Sequence, residues 1–338
     1  ILSNLFLAYF CINFIILMKK KFPKIVQYSI ISVYLIFLAG SIVRMTGSGM
    51  GCPDWPKCFG YYIPPTSEDQ IIWKPNTEFK KGFIIIKDDA LFVAEKDLKT
   101  TTKFDSNNWS KYTKHDYNKF NKYHTWTEYI NRLVSVLAGF VFLFLIYSST
   151  KFWKKNKTII LLSFGAFFLM LFEAWLGKTV VDTNLTPTII TIHMIVGLII
   201  IALLLNLKFI ISDKKTYNYN SIFNKLLIIS VIFSLIQIAM GTQVRQFIDE
   251  QVKQFGFENK NFSLMNPSFK FYFHRSFTIA ILLVNFGMFY INQIKKLGYK
   301  LVNWIVFLLF LETITGILMY YAEFPLGTQA IHLLAGAI

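Results

Sequence analysis

Residues 173–197 read EAWLGKTVVDTNLTPTIITIHMIVG, and residues 312–336 read ETITGILMYYAEFPLGTQAIHLLAG. Aligned at Glu173 and Glu312, the two stretches share Glu-x3-Gly-x15-His-x3-Gly: Glu173, Gly177, His193 and Gly197 answer to Glu312, Gly316, His332 and Gly336. Such self-similarity at fixed spacing marks an internally repeated architecture. Both stretches lie in apolar surroundings, so the chain reads as two related membrane halves with a histidine in each. An intramembrane ionisable residue is a functional candidate by default, because burying it in lipid is costly.

The correspondence extends outward. Gly40-Ser41-Ile42-Val43-Arg44 closes one apolar run and Gly241-Thr242-Gln243-Val244-Arg245 another, while Tyr129-Ile130-Asn131-Arg132 and Tyr272-Phe273-His274-Arg275 open two more. With one motif per apolar segment, each half holds four helices. The spacing predicts helices near 27–45, 127–149, 158–181, 188–211, 225–245, 269–292, 301–321 and from 328 to the end. Runs of about 20 residues cross the ~30 Å hydrocarbon core as helices. The period-2 alternation of barrel strands is missing. The expected fold is therefore an all-α integral membrane protein of eight transmembrane helices in two repeated four-helix bundles. Residues 1–26 form an apolar leader and basic segment, 27–212 the first bundle with a loop at 46–126, and 213–338 the second bundle.

A content of 54% hydrophobic and 16% charged residues is too apolar for an ordinary soluble domain. The formal net charge of +16 follows topology. Lys19, Lys20, Lys21 and Lys24, then Lys151, Lys154, Lys155 and Lys157, then Lys208, Lys214, Lys215 and Lys225, then Lys295, Lys296 and Lys300 occupy alternate connections, whereas 182–187 and 322–327 hold no lysine. The positive-inside rule puts the lysine-rich links on the cytoplasmic or matrix side and 46–126, 182–187, 246–268 and 322–327 on the outer side. Such a charge pattern attracts anionic lipid and gives little support to nucleic-acid binding. Residues 1–17 read equally as an extra span or as a signal-like leader, with Met18 an ordinary start. An eighth helix of about 11 residues spans roughly 17 Å, short of a crossing, so the chain is expected to continue beyond Ile338.

On this topology Asn131, His193, His274 and His332 lie within one or two turns of the outer face. His274 and His332 share one depth. Two imidazoles facing each other across a bundle suit a six-coordinate haem. Arg44, Arg132, Arg245 and Arg275 stand at the same level and could pair with its propionates, although interfacial anchoring explains Arg44 and Arg245 equally well. Glu173 and Glu312 read first as glutamates bonding a neighbouring helix. The Gly-x3-small spacings read mainly as packing. Cys52 and Cys58, in a Gly/Pro-rich outer loop, can close a disulfide, and their Cα atoms are expected about 4.4–6.8 Å apart. The polar insertion 67–122 holds a predicted hairpin over Phe83–Val93 with Lys87-Asp88-Asp89 at its turn.

The run Gly40–Pro65, with its G-S-x-V-R-M-T-G-S-G and terminal Pro64-Pro65, the motif Glu128-Tyr129-x-Asn131-Arg132, and one histidine in each of helices four, six and eight resemble the haem A synthase family. The resemblance spans about 28 to 338, apart from the insertion. It implies an eight-helix oxidoreductase of the bacterial cytoplasmic or mitochondrial inner membrane that oxidises the C8 methyl of haem O to a formyl, with O2 and an electron donor. It further implies a haem b cofactor on His274 and His332, substrate haem in the first bundle, catalysis linked to Glu128, and a role for Cys52 and Cys58 in electron delivery. Haem O synthase, the cytochrome oxidase assembly machinery and a second copy of the chain are partners it leaves open.

One position departs from the family: Asn131 stands where a histidine is usual. The substrate site then offers His193, Asn131 and Arg132, leaving one iron face open or weakly held. His124, seven residues earlier and about 10 Å higher along the helix, reads as a wet interfacial residue rather than a replacement. Glu128, one turn before Asn131, could act as a base or stabilise positive charge, or simply favour the helix dipole. Two other readings remain: a dihaem b-type electron-transfer cytochrome, and a haem-binding assembly factor without turnover.

Overall fold

In the computed structural model the described residues are 2–88, 90–113, 120–212, 217–255 and 267–338. Asp89 of the expected hairpin turn and Lys214 and Lys215 lie outside them. Eight helices follow in order among the described residues: α1 (Leu2–Met45), α2 (Lys122–Ser149), α3 (Lys157–Asp182), α4 (Pro187–Ile211), α5 (Ser221–Phe255), α6 (Phe269–Ile294), α7 (Leu301–Tyr321) and α8 (Thr328–Ala337). Seven are long and apolar enough to cross a membrane, α1 through its Lys21–Met45 part, and α8 has 10 residues. The helix starts are built into the sequence. The Asn121 side chain accepts from the amides of Tyr123 and His124, Asn156 from Thr158, and Asn220 from Phe223, while Pro187 opens α4. These caps satisfy amides that have no partner inside the helix.

Two boundaries correct the sequence reading. The first helix continues N-terminally through Pro23 into the apolar segment as one helix. α5 overruns its expected end at 245 by ten residues to Phe255, so part of the expected connection 246–268 is helical. Its polar extension carries i,i+4 partners, Arg245 with Asp249 at 2.7 Å and Gln246 with Glu250 at 3.0 Å. Such pairs support the extension, which also buries Ile248.

Helices α1 to α4 close on one another, α1 against α2 and α4, and α3 against α2 and α4. In the second half α5 packs on α6, α6 on α7 and α7 on α8. The halves meet through α1 with α8 and α4 with α5, where Thr191 and Thr242 share a hydroxyl hydrogen bond of 2.7 Å. The first half has a continuous core of Phe22, Phe142, Leu145, Ile200, Leu204 and Leu207, all fully buried. The second half encloses a cavity of about 670 Å³ at its motif-bearing end, within the size range of small-molecule sites.

The insertion between α1 and α2 folds into two small antiparallel sheets. β1 (Glu78–Phe79) pairs with β4 (Leu98–Lys99), and β3 (Ala90–Ala94) lies between β2 (Ile84–Lys87) and β5 (Trp109–Lys111). The predicted hairpin is present with Ile84 opposite Val93 and Lys87 opposite Ala90. Successive β2 side chains serve two cores, Ile84 and Ile86 packing with Phe59, Ile71 and the cysteines, and Ile85 with Phe79 and Trp109. A strand buried on both faces needs an unbroken apolar run, which is why alternation fails there.

Candidate functional site

The repeated motif is an interlock of two helices. A Cβ added at Gly177 of α3 would lie 3.8 Å from the His193 ring of α4, and one at Gly197 of α4 would lie 3.0 Å from Oε1 of Glu173 on α3. The second half repeats it: a Cβ at Gly316 would lie 3.5 Å from the His332 ring, and one at Gly336 would lie 2.8 Å from Oε1 of Glu312. Gly197 and Gly336 therefore leave room for the facing glutamate, Gly197 for Phe37 as well, whereas at Gly177 and Gly316 an added Cβ would meet the histidine ring at ordinary contact distance.

In the second half His274 of α6 and His332 of α8 meet across the cavity, with ring centroids 6.4 Å apart. An iron held by two imidazoles at about 2 Å from each nitrogen, with each ring centre roughly 1 Å further back, separates centroids by about 6 Å. His332 Nδ1 lies 2.9 Å from the main-chain oxygen of Glu312 and 3.1 Å from Thr315 Oγ1. A carbonyl can only accept, so Nδ1 carries the proton and Nε2 keeps its lone pair. The His274 ring rests on Gly241, where a Cβ would come within 3.2 Å of Cε1. Its Nδ1 and the neighbouring Gln237 Oε1 are buried without a partner. Gln237 Nε2 donates to the His274 main-chain oxygen at 3.0 Å and to Thr278 Oγ1 at 2.8 Å. Among the described residues no three His, Cys, Asp or Glu side chains converge on a point. An ion held by this pair would therefore take its other ligands from a bound group. Two free imidazole faces, orphaned polar atoms and an apolar cavity fit a flat macrocycle with its own metal.

The first half differs at the equivalent atoms. His193 Nδ1 pairs with the Glu173 carboxylate. Asn131 stands where His274 stands in the second half, and its Oδ1 is likewise buried without a partner. A Cβ at Gly40, the counterpart of Gly241, would meet nothing within 4 Å. The wall opposite also changes, since the counterpart of Glu128 is Phe271, which stacks on Tyr320 with ring centroids 5.4 Å apart.

Glu128 is buried on α2 and bound to the loop between α1 and α2. Its Oε2 accepts from the Cys52 amide at 2.9 Å and its Oε1 pairs with Arg132, whose other nitrogen donates to the Lys57 carbonyl at 2.9 Å. Thr125 Oγ1 donates to the Gly51 carbonyl at 2.7 Å, and His124 Nδ1 reaches the Gly47 carbonyl at 3.2 Å. One face of the first turns of α2 thus bolts down the segment 47–58. Cys52 and Cys58 form the expected disulfide, with Cα atoms 4.7 Å apart, and each is 1% exposed. Burial raises the Asp54 carboxyl above the ordinary carboxylate range, opposed mainly by the Gly60 amide that donates to it.

That burial decides access. A Cβ at Gly51 would stand 2.4 Å from the His124 carbonyl oxygen, a backbone atom that cannot step aside. Gly51→Ala is expected to cost about 1–3 kcal/mol through overpacking. It should also open the disulfide to a soluble thiol reductant that barely reaches it in the wild type. Alkylation of released thiols in the folded protein measures both states, and equal rates in the two proteins would contradict the docking.

Arg44 and Arg245 occupy the seam between halves. Arg44 and Arg245, repeat counterparts, both contact Asp249, at 3.3 Å and 2.7 Å, and Arg245 also donates to the Arg44 carbonyl at 2.9 Å. Arg275 is exposed over the rings of Phe271 and Tyr272. Arg44, Arg245 and Arg275 all border the second-half cavity, and Arg132 is engaged by Glu128 and the loop. The structure brings His274, His332, Arg44, Arg245 and Arg275 around one cavity, and groups Glu128, Arg132 and the disulfide above Asn131. Sequence reading missed Asp249, because it ended the helix at 245, four residues before it. It saw the spacing of Glu173 and Gly197 without seeing that they serve the histidine.

Residues 24–83 and 84–338 match the family model COX15-CtaA, described as cytochrome oxidase assembly protein. The chain is also similar to a protein named Heme A synthase from Shewanella oneidensis, 23% identical over 350 residues that cover 91% of this chain and 90% of that protein.

Proposed function

The chain belongs to the COX15-CtaA family of cytochrome oxidase assembly proteins, and from that premise we propose that it is a haem-dependent membrane oxidoreductase converting haem O to haem A. The observation that carries this reading is the unlike treatment of two repeated sites: His274 and His332 stand with ring centroids 6.4 Å apart in one half, whereas in the other Asn131 occupies the repeat position of His274 and His193 Nδ1 pairs with the Glu173 carboxylate. Paired imidazoles suit retention of a haem b cofactor. A single imidazole, with an amide at the repeat position of the second, suits a haem that must enter, react and leave.

Haem iron with O2 supplies the oxidising power for breaking a methyl C–H bond, which side chains lack. The chain's own residues position and shield. His193 would hold the substrate haem, Asn131 offers an amide where the other half has a second imidazole, and Glu128, paired with Arg132, places a buried carboxylate one turn before Asn131. That carboxylate favours positive charge developing at the C8 methyl carbon. Two successive hydroxylations of that carbon give a geminal diol, and loss of water gives the formyl. Arg44, Arg245 and Arg275 offer cationic partners to propionates at the cavity mouth, Arg132 orients Glu128, and the Cys52–Cys58 pair lies on the route of an electron donor. The motif-bearing end faces the outer side of a bacterial cytoplasmic or mitochondrial inner membrane.

Expression in cells that make haem O but no haem A, followed by haem extraction and chromatography, tests the reading. A formyl-haem product is expected with the wild type and none with His193→Ala. Haem retained without formyl product would make the chain a carrier or an electron-transfer cytochrome instead.

A further inference from the structure

The two repeat-related histidines are held by different acceptors. In the second half Thr315 sits one turn after Glu312, and its hydroxyl, together with the Glu312 main-chain oxygen, takes Nδ1 of His332. In the first half the counterpart of Thr315 is Leu176, buried and without a hydroxyl. His193 Nδ1 turns to the Glu173 side chain instead. The repeated glutamate is present in both halves and the repeated glycine accommodates it in both, since Gly197 faces Glu173 Oε1 and Gly336 faces Glu312 Oε1. Only in the first half does the carboxylate reach the ring.

Resting on the reading that His193 ligates the substrate haem, we propose that Glu173 is a positioning residue that makes the first-half axial imidazole a stronger electron donor than its second-half counterpart. Accepting the Nδ1–H of His193, the Glu173 carboxylate fixes the tautomer that presents Nε2 and pulls the imidazole toward imidazolate character. Partners of this kind raise the basicity of a metal-bound histidine and are among a protein's main means of tuning an iron centre. A neutral carbonyl and hydroxyl, as at His332, do this only weakly. One repeat thus yields an electron-rich site for oxidation and a neutral bis-imidazole site for electron storage through a change in what accepts the Nδ1–H, with threonine at 315 where the first half has leucine at 176. Glu312, released from the histidine, instead lines the second-half cavity.

The test uses the purified full chain reconstituted with iron protoporphyrin IX and reduced to the ferrous state. The iron–histidine stretching band in resonance Raman reports five-coordinate haem, so it reads the first-half site without interference from the six-coordinate one. In the wild type the band is expected at high frequency. Glu173→Gln should shift it downward while leaving the low-spin spectrum of the second half unchanged. Glu173→Asp, which keeps the charge but withdraws it by one methylene, should shift it part of the way and serves if the glutamine variant does not fold. If His193→Ala abolishes the band and neither Glu173 variant moves it, the positioning role is overturned while His193 ligation stands. If the wild type gives no such band, or the band survives in His193→Ala, the underlying ligand assignment fails first.

Discussion

His332→Ala is expected to abolish the six-coordinate low-spin haem spectrum of the purified protein and to lower haem retention at least about 100-fold, since even outer partners of a ligand cost 10–100-fold. The expectation rests on geometry specific to this pair. The His332 ring is held by the Glu312 carbonyl and Thr315, so its free nitrogen is aimed at one place, and the His274 ring is pinned over Gly241. Their centroids stand 6.4 Å apart across a cavity of about 670 Å³. Alanine leaves His274 as the only imidazole there, and added free imidazole should restore part of the low-spin spectrum by filling the vacated volume. His274→Ala should behave alike. Retention of the spectrum by both single variants would show that the haem lies elsewhere.

Glu128→Gln should leave the second-half haem in place and reduce formyl production by about 10²–10⁴-fold, the range for losing a positioned acid or base. Haem O or its hydroxylated intermediate should accumulate. The same carboxylate also holds the loop, accepting from the Cys52 amide and pairing with Arg132. Breaking a buried ion pair from one side costs about 3–5 kcal/mol, so anchoring and chemistry must be separated. Glutamine keeps an oxygen for the Cys52 amide. If turnover falls while the Cys52–Cys58 disulfide stays protected from thiol reductant, the charge itself acts in the reaction. If turnover and protection fall together, Glu128 works by holding the loop. Loss of the second-half haem with normal turnover in the remaining holoenzyme would move the active site to the other bundle.

Much of the architecture was legible before any coordinates. Helix α3 was expected at 158–181 and runs Lys157–Asp182, and α7 matches its expected bounds of 301–321. Bilayer thickness sets the length of an apolar run, and caps such as Asn121 and Asn156 mark its start in local sequence. The disulfide was legible because a separation of six in a Gly/Pro-rich loop keeps two cysteines within reach, and the hairpin because its turn residues punctuate an apolar run. α5 was misjudged because six of its last ten residues are polar. Nothing in hydropathy distinguishes a helix continuing into water from a loop, and the deciding contact is Arg44 of α1 meeting Asp249, 205 residues away.

The sequence by itself determined the repeat, the membrane class, and which histidines, glutamates and glycines recur, since these depend on composition and spacing along one chain. Only the tertiary structure decided which atom meets which: that Glu173 takes His193 while Thr315 and a carbonyl take His332, and that Glu128 reaches back 76 residues to the Cys52 amide. Helix periodicity places a residue on a face but leaves the rotation and axial offset of the facing helix open. A hydrogen bond tolerates only a few tenths of an ångström in distance. Those offsets come from packing the whole bundle, and they separate two sites built from one repeated motif.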